Sequence, residues 1–140
     1  MPGPRALVIG IDGVPFTLLQ SLFKAGVMPG ISQLLADGQS KPITSSIPDV
    51  SSTAWASFMT GENPGEHGIY GFFELNPENY SLRFPTYGDL KVEPFWNQLS
   101  SNGFRSLVVN VPQTYPARQL NGMLISGFVA PNLERAVYPA

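Results

Sequence analysis

Two places in the chain carry side chains that could do chemistry. The first is Asp12, at the end of the apolar run "RALVIGID" and followed by Gly13. A carboxylate at the C-terminal end of a buried strand sits where open α/β sheets bind ligands, and it is a good hard donor for a divalent cation. The same Asp-Gly pair also reads as a plain turn, because both residues favour turns for backbone reasons. The second place is "VSSTAW" at residues 50–55, three hydroxyls in a row ahead of helical spacing. Ser or Thr at such a point commonly caps a helix by accepting a bond from a free backbone N–H. The same helix end is also a site for anions, since unpaired N–H groups and the helix dipole both favour negative charge. A hydroxyl there could attack phosphorus if its pKa were lowered, and a metal ion held by Asp12 could do that without a general base. His67, in "GEHGIYGF", is the single histidine; flanked by glycine, it reads as a structural hydrogen-bonder before it reads as a ligand. No GxxxxGK[ST] or GxGxxG pattern occurs, so a P-loop and a dinucleotide fingerprint are unsupported.

The elements that must position these residues alternate between two periods. Residues 5–12 read as a strand buried on both faces. Residues 16–25 place Phe16, Leu19, Leu22 and Phe23 on one helical face, stopped by Gly26. "MPGISQLLADG" reads as a second helix with Pro29 near its start, and "QSKPITSSIPDV" as extended chain. After Thr53, Trp55, Phe58 and Met59 fall at i, i+3 and i+4 and predict a helix closed by Gly61. The segment "ENPGEHGIYGFFELNPENYSLRFPTYGDLKV" reads as a long functional loop. Residues 93–102 read as a helix, "FRSLVVNV" as a buried strand and "MLISGF" as a shorter one. The expected class is α/β with a mainly parallel sheet flanked by helices. The alternation breaks off at "NLERAVYPA" with few strands in hand, so residues 1–140 are expected to be the N-terminal portion of one incomplete domain.

Composition narrows the partners. A chain of 140 residues suits one domain with a real core, and 43% of it is apolar. Charged residues make up 13%, about half the usual share. The net charge of −2 and the lack of a Lys/Arg cluster argue against a nucleic-acid footprint. Without cysteine, disulfides and thiolate metal sites are excluded, leaving carboxylates, His and hydroxyls as metal donors. The N-terminal apolar run is too short for a membrane span or a signal h-region, so the default expectation is a cytoplasmic protein. Truncation would leave apolar surface exposed and favour self-association.

Taken together, "VIGIDG", "MPGISQLLADG" and "IPDVSSTAWASFMTGENPGEHGIYGF" resemble the type I phosphodiesterase/nucleotide pyrophosphatase branch of the alkaline phosphatase superfamily. The resemblance implies an alkaline-phosphatase-like fold and hydrolysis of small phosphate-ester or nucleotide substrates. It implies two divalent metal ions, commonly zinc, and a Ser or Thr nucleophile that forms a covalent intermediate. Carried over, Asp12 is a metal ligand. Counting nine residues back from Thr60 of the "TG" places the nucleophile, also a metal ligand, on Ser51, with Ser52 and Thr53 as neighbours. Two departures stand out. Ala54 replaces an Asn that in other members donates to a phosphoryl oxygen, and the family's further Asp and His metal ligands, found in "DHG"-like motifs, do not occur. The chain alone is therefore expected to be inactive. Phosphonate hydrolases, phosphomutases and sulfatases of the superfamily share this logic, and a non-catalytic α/β binding module would carry Ser51 as a cap and Asp12 as a turn residue.

Overall fold

The structure is a computed structural model and describes residues 5–139; Met1–Gly3, Pro4 and Ala140 of the expected 1–140 domain lie outside the described residues. The chain divides into two units, Met1–Thr44 and Ser45–Ala140.

In the first unit, helix α1 (Phe16–Lys24) and helix α2 (Pro29–Ala36) follow the local signals closely. The four apolar residues at helical spacing in α1, Phe16, Leu19, Leu22 and Phe23, are its half-buried positions, while Thr17, Leu18, Gln20 and Ser21 are exposed. Pro29 occupies the first turn of α2, where its missing N–H is no loss. The expected strand at residues 5–12 is not formed. That segment has no ladder partner among the described residues, and Leu7, Val8, Ile9 and Ile11 are all more than half exposed. An apolar run specifies only that burial is favourable; a strand also needs a neighbour to accept its backbone hydrogen bonds.

The second unit holds the core. Helix α3 (Ser51–Thr60) is followed by a single turn, α4 (Pro64–His67), and an antiparallel hairpin of β1 (Glu74–Leu75) and β2 (Leu82–Arg83). After helix α5 (Phe95–Ser101), strands β3 (Ser106–Val111), β4 (Gly122–Ser126) and β5 (Val137–Tyr138) form one sheet in the order β3-β4-β5. The β3–β4 pair is parallel and β4–β5 is antiparallel. The architecture is thus mixed α/β, with one parallel pair among the described strands rather than a mainly parallel sheet. The region read as one long loop contains α4, the hairpin and a 3₁₀ turn (Tyr87–Asp89), each too short to generate a periodic signal.

Ala56 and Met59 of α3, Trp96 of α5, Val108 of β3 and Leu124 of β4 pack with Ile69, Tyr87 and Leu120 into one cluster. Trp96 Nε1 donates to Tyr87 Oη at 2.9 Å, so the largest buried side chain also satisfies its polar atom. The other face of the β3–β4–β5 sheet carries Leu107, Val109, Met123, Ile125 and Val137, all exposed. Apolar residues on both faces explain why these strands read as continuous hydrophobic runs.

Candidate functional site

The hydroxyl run opens α3. Residue 50 is the N-cap, in extended conformation (φ −104°, ψ 140°), and it is a valine with no side-chain cap to offer. Ser51 is therefore the first helical residue, with Ser52 and Thr53 as the second and third. None of the three hydroxyls caps the helix, so the cap reading of this run fails on geometry. The consequence is an open helix end. Ala54 N–H bonds Val50 O at 2.9 Å, but the N–H groups of Ser51, Ser52 and Thr53 have no acceptor among the described residues. Helix ends normally settle such groups with a cap, water or a ligand.

The side chains reinforce this. Ser51 is half-buried and its hydroxyl makes no hydrogen bond among the described residues. Ser52 and Thr53 are completely buried, and Ser52 Oγ and Thr53 Oγ1 have no partner among the described residues. Buried polar atoms are nearly always paired, and leaving one unpaired costs about 1–3 kcal/mol. The face of α3 turned to the core is Ser52, Thr53, Ala56 and Met59. That differs from the expected face of Trp55, Phe58 and Met59, of which only Met59 is fully buried. Trp55 and Phe58 instead flank the helix, edge to face at 5.6 Å, with Phe58 against Phe95 at 5.8 Å. Small residues let the helix approach its neighbours closely, and a search for large apolar side chains passes over them.

The far end of α3 shows what "TG" does. Thr60 Oγ1 donates to Ala56 O at 2.7 Å and accepts from Glu62 N–H at 3.3 Å, while Gly61 adopts φ 72°. Next, "NPGEHG" builds α4 from three local devices. Asn63 caps it by accepting from Gly65 N–H, Pro64 takes the first helical position, and Gly68 closes it at φ 81°. This turn delivers His67 to the middle of α3. His67 is fully buried; its Nδ1 accepts from Ile69 N–H at 3.1 Å, and its Nε2 lies 2.9 Å from Ser57 Oγ. With Nδ1 accepting, the proton sits on Nε2, which donates to Ser57. Burial holds the imidazole pKa below its ordinary value and keeps the ring neutral. Both nitrogens are committed, so His67 is neither a metal ligand nor a free base. It is the structural hydrogen-bonder its glycine-flanked setting suggested. The Ser57–His67 pairing itself, ten residues apart, has no signature in the sequence.

Asp12 lies in an exposed turn with Gly13 at φ 67°, directly ahead of α1. The strand expected to present it is missing, and the turn reading describes its local geometry. Asp12 and Ser51 belong to different units, and neither unit contains both.

The model of the family described as type I phosphodiesterase / nucleotide pyrophosphatase matches residues 6–138, nearly the whole chain. The chain belongs to this family. No curated protein and no solved structure matches it significantly. Type I phosphodiesterases are phosphoester hydrolases of the alkaline phosphatase superfamily, act on small nucleotide or phosphoester substrates, and are generally metal-dependent. Among the described residues of this phosphodiesterase-family chain, no three His, Cys, Asp or Glu side chains gather where they could hold a metal ion. Zinc sites use three or four protein ligands. The residues present therefore do not by themselves fit a two-metal centre. No described helix is long and apolar enough to cross a membrane.

Proposed function

We propose that the open N-terminus of α3 is the phosphoryl site of a phosphate-ester or nucleotide phosphodiester/pyrophosphate hydrolase, with Ser51 as its nucleophile. The observation that carries this reading is the set of three N–H groups at Ser51, Ser52 and Thr53 with no acceptor among the described residues, beside a Ser51 hydroxyl that makes no hydrogen bond among them. A phosphoryl group is the anion such an end accepts, because N–H dipoles and the macrodipole both point at it. Attack by Ser51 Oγ forms a serine–phosphoryl ester as the bond to the leaving alcohol or phosphate breaks, with the hydroxyl proton ending on the leaving group, and water then cleaves the ester and returns a proton to the hydroxyl. The backbone N–H groups hold the phosphoryl oxygens through both steps.

On this reading the chain is the N-terminal portion of one alkaline-phosphatase-like domain whose complete sheet is mainly parallel. By the family resemblance, Asp12 and Ser51 would each be a ligand of a divalent ion, zinc by the habit of the family. The remaining ligands come from outside this chain. His67 cannot make up the number, since both of its nitrogens are occupied.

Titration of the 140-residue chain with inorganic phosphate, followed by backbone amide NMR, tests the anion site directly. The amides of Ser51, Ser52 and Thr53 are expected to shift together and saturate. Shifts scattered over the surface, or none at these three, refute the reading.

A further inference from the structure

A cleft of about 570 Å³ lies between α5 and the chain that leads into β4. That volume is in the range of sites for small organic molecules. No residue of α3 lines it, so it stands apart from the phosphoryl site proposed above. Glu93, Asn97 and Ser101 come from the α5 side, Gln119 and Asn121 from the other, with the buried Leu120 between them.

What this cleft lacks is hydrogens to donate. Ser100 Oγ donates to Trp96 O at 2.8 Å and accepts from Asn121 N–H at 3.0 Å, so it is used at both ends. Ser101 Oγ donates its hydrogen to Asn97 O at 3.1 Å. Asn121 Nδ2 donates to Gly103 O at 3.2 Å and to Phe104 O at 3.1 Å. These bonds leave the Ser101 oxygen and Asn121 Oδ1 as acceptors only. Glu93 is exposed and forms no ion pair among the described residues, so its carboxylate adds further acceptors and a full negative charge. Asn97 Oδ1 is buried without a partner among the described residues, and an unpaired carbonyl dipole in the wall adds to the negative potential. Free N–H groups remain only on the Asn97 and Gln119 carboxamides, each of which brings an acceptor as well. No lysine or arginine lines the cleft. The basic residues nearest in sequence are engaged elsewhere: the Lys91 stem runs along Gly68, and the Arg118 guanidinium lies 4.8 Å from the centroid of the Tyr87 ring.

We propose that this cleft binds a small organic cation through a primary ammonium or guanidinium group. Glu93 supplies the counter-charge, and the Ser101 oxygen and Asn121 Oδ1 accept N–H bonds from the same group. An anion would meet a carboxylate and no cation. A bare divalent ion would find a single carboxylate in a space far larger than itself, since no three His, Cys, Asp or Glu side chains gather among the described residues. A quaternary ammonium calls for an aromatic cage, and no aromatic side chain lines the cleft.

Backbone amide NMR of the 140-residue chain, titrated with n-butylammonium chloride and with n-butylguanidinium chloride, tests this. Tetramethylammonium chloride and glycerol serve as controls at matched concentration and ionic strength. The amides of Glu93, Asn97, Ser101 and Asn121 are expected to shift and saturate with the two N–H cations and to stay in place with the controls. Glu93→Gln is expected to weaken binding about tenfold, because a hydrogen bond to a charged acceptor becomes one to a neutral acceptor. Glu93→Asp keeps the charge and should bind within about threefold of the parent. Glu93 is exposed, and unchanged amide positions outside the cleft report that both variants are folded. Absence of a saturating shift at these residues, equal shifts with tetramethylammonium or glycerol, or parental affinity in Glu93→Gln would each overturn the proposal. No phosphate is present in these samples, so the outcome is independent of the α3 reading.

Discussion

Replacing His67 by leucine removes both hydrogen bonds of a fully buried ring while keeping an apolar side chain of comparable bulk in its place. Ile69 N–H is left without a partner in a residue with no exposed surface, which costs about 1–3 kcal/mol. Ser57 is half-buried, and its hydroxyl can turn to water at a cost of up to about 1 kcal/mol. The sum is a loss of roughly 1–4 kcal/mol, large against a total stability of about 5–15 kcal/mol. Urea unfolding followed by the fluorescence of Trp96, buried in the same unit, measures it. The pH dependence supplies a second readout. Burial lowers the folded-state pKa of His67 below its ordinary 6.5, so between the two values the unfolded chain binds more protons and stability rises with pH. The contribution is complete above about pH 6.5 and is lost as the pH falls toward the folded-state value. His67→Leu should lack that component of the acid limb. A variant within about 0.5 kcal/mol of the parent, or one with an unchanged acid limb, would refute the tautomer and the two-bond assignment.

Tyr87→Phe leaves Trp96 Nε1–H unpaired in the core, and a loss of about 1–3 kcal/mol is expected in the same urea assay. The 140-residue chain is expected to bind zinc only weakly by calorimetry and to show no zinc-dependent turnover of bis(p-nitrophenyl) phosphate; stoichiometric tight binding or measurable turnover would show that it builds a metal centre unaided. With Leu107, Val109, Met123, Ile125 and Val137 exposed on one sheet face, the chain is expected to self-associate. Light scattering that returns a monomer across the concentration range would count against that.

Much of the local structure was legible because its causes are local. Gly26, Gly61 and Gly103 mark helix ends and adopt positive φ, as a left-handed closing residue requires. Pro29 and Pro64 open helices, and the half-buried face of α1 follows its 3.6-residue spacing. The runs at β3 and β4 are strands, although the parallel pairing extends to only two of the three strands in their sheet. The reading failed where an outcome depended on partners. The apolar run at residues 5–12 looked like a strand and lacks a ladder partner, and the α3 face was sought among Trp55 and Phe58 while small side chains were buried instead.

The candidate site divides along the same line. The sequence by itself determined the family, whose model matches residues 6–138 of the chain. It also excluded cysteine ligands and limited the histidines to one. Only the tertiary structure decided that α3 starts at Ser51 with Val50 as its cap position, and that its first N–H groups and two buried hydroxyls find no partner among the described residues. It likewise decided that His67 spends both nitrogens inside the protein. Residue order sets which groups exist and which backbone angles they favour. Whether a given donor finds an acceptor depends on what folding brings within about 3 Å of it, and that is not written at any single position.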